Sequence, residues 1–266
     1  MDLGLDGKTA VVCAASGGLG KAGAMALAQA GARVVICSRD EARIKAAAAE
    51  IIRKAETTKD NVLPVTSDLS KGDEIDALLK AAVQTFGQVD ILVTNSGGPP
   101  SGGFHDLSDE QWQTGFERNL MSVIRSIRGV IPAMQKNGWG RIINITSLTV
   151  KQPVNDLIVS SVLRPGILGL SKILANLYAR DGITVNSIAP GFIMTGRQQE
   201  LGKIRSEKQG ITFDEYVQNA SADIPAGRFG TPEELASVIA FLASEKASYI
   251  NGATIGVDGG LVKGLF

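Results

Sequence analysis

The residues best suited to chemistry are a serine and an arginine one helical turn apart, Ser160 and Arg164, downstream of Ser147. A serine hydroxyl donates hydrogen bonds but ionises far less readily than a tyrosine phenol, whose pKa is about 10. An arginine stays protonated where a lysine can lose its proton. These three residues therefore supply hydroxyl donors and a fixed positive charge, but no ordinary general acid. A solvent-facing helix face is the alternative interpretation of Ser160 and Arg164.

Three other side chains deserve consideration as proton donors. Lys151 lies in the loop that follows Ser147. A partly desolvated lysine has a lowered pKa and can donate a proton, whereas a solvated loop lysine does not. His105, the single histidine, precedes a helix start with Ser108 as N-cap, and we expect it at the surface. Tyr216, in a polar stretch near the C-terminus, is a further candidate for reaching inward.

Continuous Val/Ile runs alternate with helical patterns along the whole chain, which indicates strands covered on both faces. The predicted strands are 9–14, 33–37, 61–65, 90–95, 141–145, 183–188 and 253–257. This order predicts an α/β fold, a Rossmann-like doubly wound, seven-stranded parallel sheet with helices on both faces, in a single domain over 1–266. Such sheets bind ligands at the carboxyl ends of their strands. The long polar stretch 192–223 follows the sixth strand at that edge, and we expect it to form a lid.

Composition excludes several classes of protein. Lys+Arg and Asp+Glu are 27 each, so the chain lacks the basic excess of a nucleic-acid-binding protein. Its start has no basic flank before an apolar run, so we expect no signal peptide. No stretch approaches the roughly 20 apolar residues of a membrane helix. Cys13 and Cys37 fall in strand patterns, which predicts buried, reduced thiols, no metal site and a cytoplasmic location.

A glycine-rich turn follows the first strand, at Ser16, Gly18, Leu19 and Gly20. Such a turn lets the backbone approach a diphosphate at a helix N-terminus. After the second strand, Ser38 and Arg39 stand where an NAD site usually has an acidic residue for the ribose. Arg39 can pair with a 2′-phosphate and Ser38 can donate a hydrogen bond to it, which favours NADP(H) over NAD(H). Alternatively, Arg39 is a solvated loop charge.

In these motifs and their order, the chain resembles the short-chain dehydrogenase/reductase family, in particular its beta-ketoacyl-carrier-protein-reductase-like branch. At the family's glycine turn, Cys13 and Ala14 replace Thr and the first Gly, and Ala14 predicts a turn without positive φ there. The resemblance implies Asn119 and Ser147 as catalytic residues. Ser160 and Arg164 occupy the places of Tyr and Lys in Tyr-x-x-x-Lys, so the motif is degenerate. The further cofactor contacts that it implies are Asp68, Leu69, Asn95, Gly97, Pro190, Gly191 and Thr195.

The function implied is an NADP(H)-dependent, 3-oxoacyl-reductase-like oxidoreductase for a carbonyl or hydroxyl substrate, with a nonstandard proton donor. Two alternatives stay open: a non-redox lyase or isomerase, and a redox-silent nucleotide-binding subunit. The resemblance also implies a homotetramer or homodimer.

Overall fold

The computed structural model describes residues 2–265 and shows a sheet of seven strands, all parallel. Their order across the sheet is β3-β2-β1-β4-β5-β6-β7. The strands are β1 Thr9–Val12, β2 Arg33–Ser38, β3 Val62–Thr66, β4 Ile91–Thr94, β5 Gly140–Ile145, β6 Ile183–Pro190 and β7 Thr254–Val257. The order reverses direction between β1 and β4, and this switch point opens the crevice in which such sheets bind ligands.

Helices cover both faces of the sheet. They are α1 Gly18–Gln29, α2 Glu41–Lys54, α3 Gly72–Phe86, α4 Asp109–Phe116, α5 Ser122–Asn137, α6 Ile158–Tyr178, α7 Gly196–Gln209, α8 Phe213–Ala222 and α9 Pro232–Ala243. Neighbouring residues of one strand face opposite layers: Val12 packs in one apolar core and Val11 in the other. The predicted Rossmann-like fold is therefore confirmed, because continuous apolar strands require cover on both sides.

Helix α6 corrects one expectation from the sequence. Its extended span, Ile158–Asp181, is long and apolar enough to cross a membrane. The expectation that no stretch approaches that length was therefore wrong. The helix instead packs along β6, with Val159, Ile167 and Ala175 buried in the protein core. Packing on the sheet accounts for only part of its apolar character, because Val162, Ile173 and Leu177 of the same helix are exposed.

Candidate active site

A cavity of about 1030 Å³ lies at the carboxyl ends of the central strands. The predicted cofactor residues that line it are Ser16, Gly18, Leu19, Ser38, Arg39, Asp68, Leu69, Asn95, Gly97 and Thr195. Three predicted cofactor residues do not line it: Gly20, Pro190 and Gly191. A Cβ on Gly191 would lie 2.7 Å from the Cα of Asp258, so a side chain there would collide with the end of β7.

The glycine turn differs from the sequence expectation at Ala14. This residue has φ 49°, so the prediction of a turn without positive φ was wrong, and strand β1 ends at Val12. The turned Ala14 carbonyl accepts a hydrogen bond from Asn95 Nδ2 at 3.4 Å. A Cβ on Gly20 would lie 2.5 Å from the same carbonyl oxygen. Helix α1 has no acidic residue in its first turn, so its N-terminus keeps a positive potential towards the cavity.

Two arginines, Arg39 and Arg43, line the cavity beyond the end of β2. Asp40 caps helix α2 by accepting from the Arg43 backbone N–H at 2.9 Å, which fixes the first turn of that helix. The Arg43 guanidinium then lies over the glycine turn, 3.9 Å from where a Cβ of Gly17 would stand. Sequence reasoning missed Arg43. The signal that would have found it is a basic residue in the first turn of the helix that follows β2, where a helix N-terminus faces the ligand edge of the sheet.

Ser38 and Asp68 border the same end of the cavity. The Ser38 hydroxyl donates to the Asp40 carbonyl at 3.0 Å, so the predicted bond to a phosphate is not preformed. Asp68 accepts from the Ser70 backbone N–H at 3.0 Å and from its hydroxyl at 2.8 Å. Burial alone would raise the pKa of Asp68, but the bonds from Ser70 and the positive charge of Arg39 lower it overall. Asp68 is thus an ionised acceptor beside the cationic wall.

Arg164 enters the opposite end of the cavity from helix α6 and is only 6% exposed. Its Nη1 donates to the carbonyls of Ile145 at 3.1 Å and Thr146 at 2.8 Å, at the end of β5. Its Nη2 donates to Asn119 Oδ1 at 3.2 Å, and its Nε is buried without a partner. Burial lowers the pKa of the guanidinium to about 10, so Arg164 is a cation at neutral pH. The solvent-facing interpretation of this position is therefore wrong.

Asn119 is buried in a π-helical segment, Glu117–Met121, between α4 and α5. Its Nδ2 donates to the Gly115 carbonyl at 3.1 Å, and its Oδ1 also accepts from Ser96 Oγ at 2.9 Å. Single π-helical turns inside helices are frequent at functional sites. The wider turn directs the asparagine amide towards Arg164, so the structure brings these two predicted residues together.

Ser160 is buried one helical turn before Arg164, and its hydroxyl bonds that of Thr149 at 2.9 Å. Ser147 Oγ accepts the Thr149 backbone N–H at 3.2 Å, which leaves the Ser147 O–H proton available to a ligand. Sequence reasoning missed Thr149, because its contact with Ser160 joins a short loop to a helix. The hydroxyls of Ser147, Thr149 and Ser160 and the cation of Arg164 thus stand together where the family's motif has a phenol and a lysine.

The other candidate donors are less directly placed. Lys151 follows the short 3₁₀ turn Leu148–Val150 and is half-buried, but it does not line the cavity. His105 is exposed, as expected. Ser108 caps α4: its hydroxyl accepts from the Gln111 backbone N–H, and its own N–H donates to Gln111 Oε1. The Tyr216 hydroxyl accepts from Arg205 Nη1 at 3.2 Å inside the polar stretch itself. Tyr216 therefore does not provide the inward-facing phenol that the sequence allowed.

The stretch 192–223 forms helices α7 and α8 beside the cavity. Arg205 of α7 pairs with Asp156, at 2.7 Å between Nη2 and Oδ2. Asp156 belongs to the loop before α6, and its carbonyl accepts from the Gly102 N–H at 2.9 Å. Helix α7 and two loops at the carboxyl edge are thus linked to one another.

The arrangement fits a dinucleotide. The Gly20 contact leaves no room for a side chain under the turn, the α1 N-terminus is free of acidic residues, and arginines stand at both ends of the cavity. Anionic groups of a nucleotide match these features.

Comparison with known proteins agrees with this geometry. The family described as enoyl-(acyl carrier protein) reductase matches residues 13–262. The chain is 36% identical over 259 residues to the 3-oxoacyl-[acyl-carrier-protein] reductase FabG of Vibrio cholerae, covering 97% of this chain and 99% of that protein. It is also 36% identical over 259 residues to D-beta-hydroxybutyrate dehydrogenase of Rhizobium meliloti, covering 95% and 98%.

Among solved structures, L-sorbose reductase of Gluconobacter frateurii, complexed with NADPH and L-sorbose, is similar with a TM-score of 0.94. The two chains are 34% identical, and the match covers 100% of both. These matches span the whole sheet and the cavity at its carboxyl edge. The chain is therefore an oxidoreductase of the short-chain dehydrogenase/reductase family.

Proposed function

We propose that the protein is an NADP(H)-dependent oxidoreductase for a carbonyl or hydroxyl substrate, of the 3-oxoacyl-reductase kind, with a proton source other than tyrosine. The observation that carries the proposal is that one cavity is lined by Arg39 and Arg43 and also by the buried Arg164, which Asn119 holds from behind. A 2′-phosphate suits the two arginines, because charge-assisted bonds to a guanidinium are strong and directional. NADPH supplies hydride when bound.

The protein's own residues orient the substrate and stabilise charge. The free O–H of Ser147 can donate to a substrate oxygen, and such preorganised donors stabilise a developing negative charge. The Ser160–Thr149 pair can pass a proton only as a relay, because neither hydroxyl ionises readily. We assign Lys151 as the proton source, since it is half-buried and follows the turn that holds Ser147 and Thr149.

The relatives support the proposal. L-sorbose reductase is complexed with NADPH, and FabG is a 3-oxoacyl reductase. The apolar side chains of Val162, Ile173 and Leu177 are exposed on α6, at 57%, 58% and 63%, which supports a homodimer or homotetramer.

The test begins with titration of the protein by NADPH and NADH. NADPH consumption is then followed with a panel of ketones, aldehydes and oxoesters. We expect tighter binding of NADPH and slow but saturable consumption with at least one carbonyl. Turnover of a substrate without added nicotinamide, or no binding of either nucleotide, contradicts the proposal.

Two variants then separate the proton source from the binding site. Lys151→Met should lower kcat by about 10²–10⁴, which is typical for loss of a general acid, and leave the Kd of NADPH unchanged. An unchanged kcat would refute Lys151 as the proton source. Ser160→Tyr with Arg164→Lys restores the family's motif, and we expect carbonyl reduction to rise and to become independent of Lys151.

A further inference from the structure

The guanidinium of Arg164 has unused binding capacity. Arginine carries five N–H donors. Three of them bond Ile145, Thr146 and Asn119, so the Nε–H and the second Nη2–H remain, on neighbouring nitrogens. The Nε is fully buried and has no partner among residues 2–265. A buried donor without an acceptor costs about 1–3 kcal/mol, so the folded protein gains when a ligand supplies the acceptor.

The charge of Arg164 is also uncompensated. All three of its acceptors are neutral amide or peptide oxygens, and burial is the only cause of its lowered pKa. The other arginines that line the cavity, Arg39, Arg43, Arg118 and Arg197, are exposed, and Arg197 pairs with Glu200 at 3.0 Å. Arg164 is thus the cation of this cavity that water screens least.

A carboxylate satisfies both requirements. Ribose hydroxyls would accept the hydrogen bonds but leave the charge of the guanidinium uncompensated. A carboxylate accepts the hydrogen bonds and also compensates the charge. Arginine also differs from lysine in presenting a planar fork that matches a carboxylate with two parallel bonds. The neighbouring Ser160 is small and bonds back to Thr149, so no aromatic ring stands between a substrate and the guanidinium.

We propose that Arg164 is the receptor for a carboxylate of the substrate, so that the protein acts on carbonyl or hydroxyl compounds that also carry a carboxylate. This inference rests on the proposed function for the reaction, but the carboxylate site stands on its own geometry. It predicts binding that can be measured without turnover.

The test is calorimetric binding of small carboxylates and their isosteric primary amides to the protein saturated with NADPH. Saturation blocks Arg39, Arg43 and the α1 N-terminus, so that anion binding there is removed. We expect carboxylates to bind about 10- to 100-fold more tightly than the amides, as for other hydrogen bonds to charged groups. Arg164→Met should bring the two affinities together, while Arg164→Lys should keep part of the difference.

Arg197→Met is the matched control, because Arg197 lines the same cavity but is exposed and paired. It should leave the ratio of affinities unchanged. If Arg164→Met does not fold, Arg164→Gln replaces it, since glutamine is neutral and keeps amide donors. Equal affinities in the wild type, or a preference that survives loss of the arginine, overturns the inference.

The two proposals fail separately. If the protein binds no NADPH but discriminates carboxylates from amides, and Arg164→Met abolishes that discrimination, the carboxylate site is supported and the proposed cofactor is refuted. Tight NADPH binding that Arg164→Met abolishes, with no carboxylate discrimination in the wild type, assigns Arg164 to the cofactor and overturns the inference.

Discussion

Arg164 and Asn119 are joined by a hydrogen bond of 3.2 Å between Nη2 and Oδ1, inside the protein and away from any compensating carboxylate of residues 2–265. The asparagine oxygen also accepts from Ser96, and its amide nitrogen bonds Gly115. One side chain therefore fixes both the π-helical turn and the cation. This relationship makes the two positions energetically dependent on each other.

A double-mutant cycle of Asn119→Ala and Arg164→Met measures that dependence. Asn119→Ala leaves several buried groups without partners and should lower the free energy of unfolding by about 2 kcal/mol. In the Arg164→Met background the loss should be smaller by about 1 kcal/mol, because one of those groups is gone. Urea unfolding checks it, with the distant Glu50→Gln as an additive control. Strict additivity of the first pair would contradict the coupling.

Ala14→Gly should stabilise the protein, although it changes a residue of the glycine turn. Ala14 holds φ 49°, a conformation that costs an L-residue about 1–2 kcal/mol. Glycine relieves this strain but loses about 0.5–1 kcal/mol through its freer unfolded chain. We expect a net gain of about 0.5–1 kcal/mol in denaturant unfolding. Ala15→Gly, at the next residue, has no positive φ to relieve and should destabilise.

Arg43→Ala should weaken the binding of NADPH about tenfold and leave the binding of NADH nearly unchanged, because a charge-assisted bond to the 2′-phosphate is worth about 1.5–3 kcal/mol. The double change with Arg39→Ala should remove most of the preference for NADPH. Fluorescence titration of both nucleotides gives the four dissociation constants. Lys45→Ala, an exposed cation of the same helix outside the cavity, is the control. Equal weakening of NADH would place Arg43 elsewhere than at the 2′-phosphate.

The sheet was predictable because its strands are buried on both faces, which gives continuous apolar runs such as that around Val11 and Val12. The conformation of the turn after β1 was not predictable, since alanine rarely adopts a positive φ and the neighbouring residues do not indicate one. That conformation is fixed by contacts with the Ala14 carbonyl: Asn95 donates a hydrogen bond to it, and Gly20 packs closely against it.

The surroundings of Ser160 and Arg164 show the same limit. Ser160 and Arg164 could be placed by counting along the chain, but their surroundings depend on contacts between distant segments. Thr149 meets Ser160 only after the loop folds against α6, and the end of β5 supplies two acceptors of Arg164. Residue spacing locates a side chain on an element, whereas partners across elements decide whether its charge is buried and satisfied.

Stability should depend on pH through Glu50, which accepts from Lys21 at 2.6 Å and pairs with Lys54 at 2.8 Å. Bonds from Lys21 and then Lys54 lower the pKa of Glu50 to about 2. A lowered carboxyl pKa stabilises the folded state above the unfolded value of about 4.3, and this contribution is lost as the pH falls through about 2.

Glu50→Gln should therefore lower the free energy of unfolding by about 1 kcal/mol at pH 7, the value allowing for the partial exposure of the pair. The difference from the wild type should shrink as the pH falls below about 4 and should be largely lost near pH 2. Unfolding in urea at several pH values measures both curves. Glu41→Gln removes an exposed helical pair and should have a smaller effect. A difference that persists unchanged at pH 2 would mean that packing, and not charge, is responsible.

Arg205→Met should loosen the polar stretch 192–223 if it is a lid. Arg205 is the residue through which α7 holds Asp156 and Tyr216, at 2.7 and 3.2 Å. Without it, hydrogen exchange of α7 should accelerate and the substrate KM should rise several-fold, because closure over the substrate becomes less favourable. The Kd of NADPH should stay unchanged, since Arg205 does not line the cavity. Lys203→Met, on an exposed position of the same helix, is the matched control. An equal rise in the NADPH Kd and the KM would show that Arg205 supports the cavity as a whole, and unaltered exchange in α7 would show that the ion pair does not hold the lid.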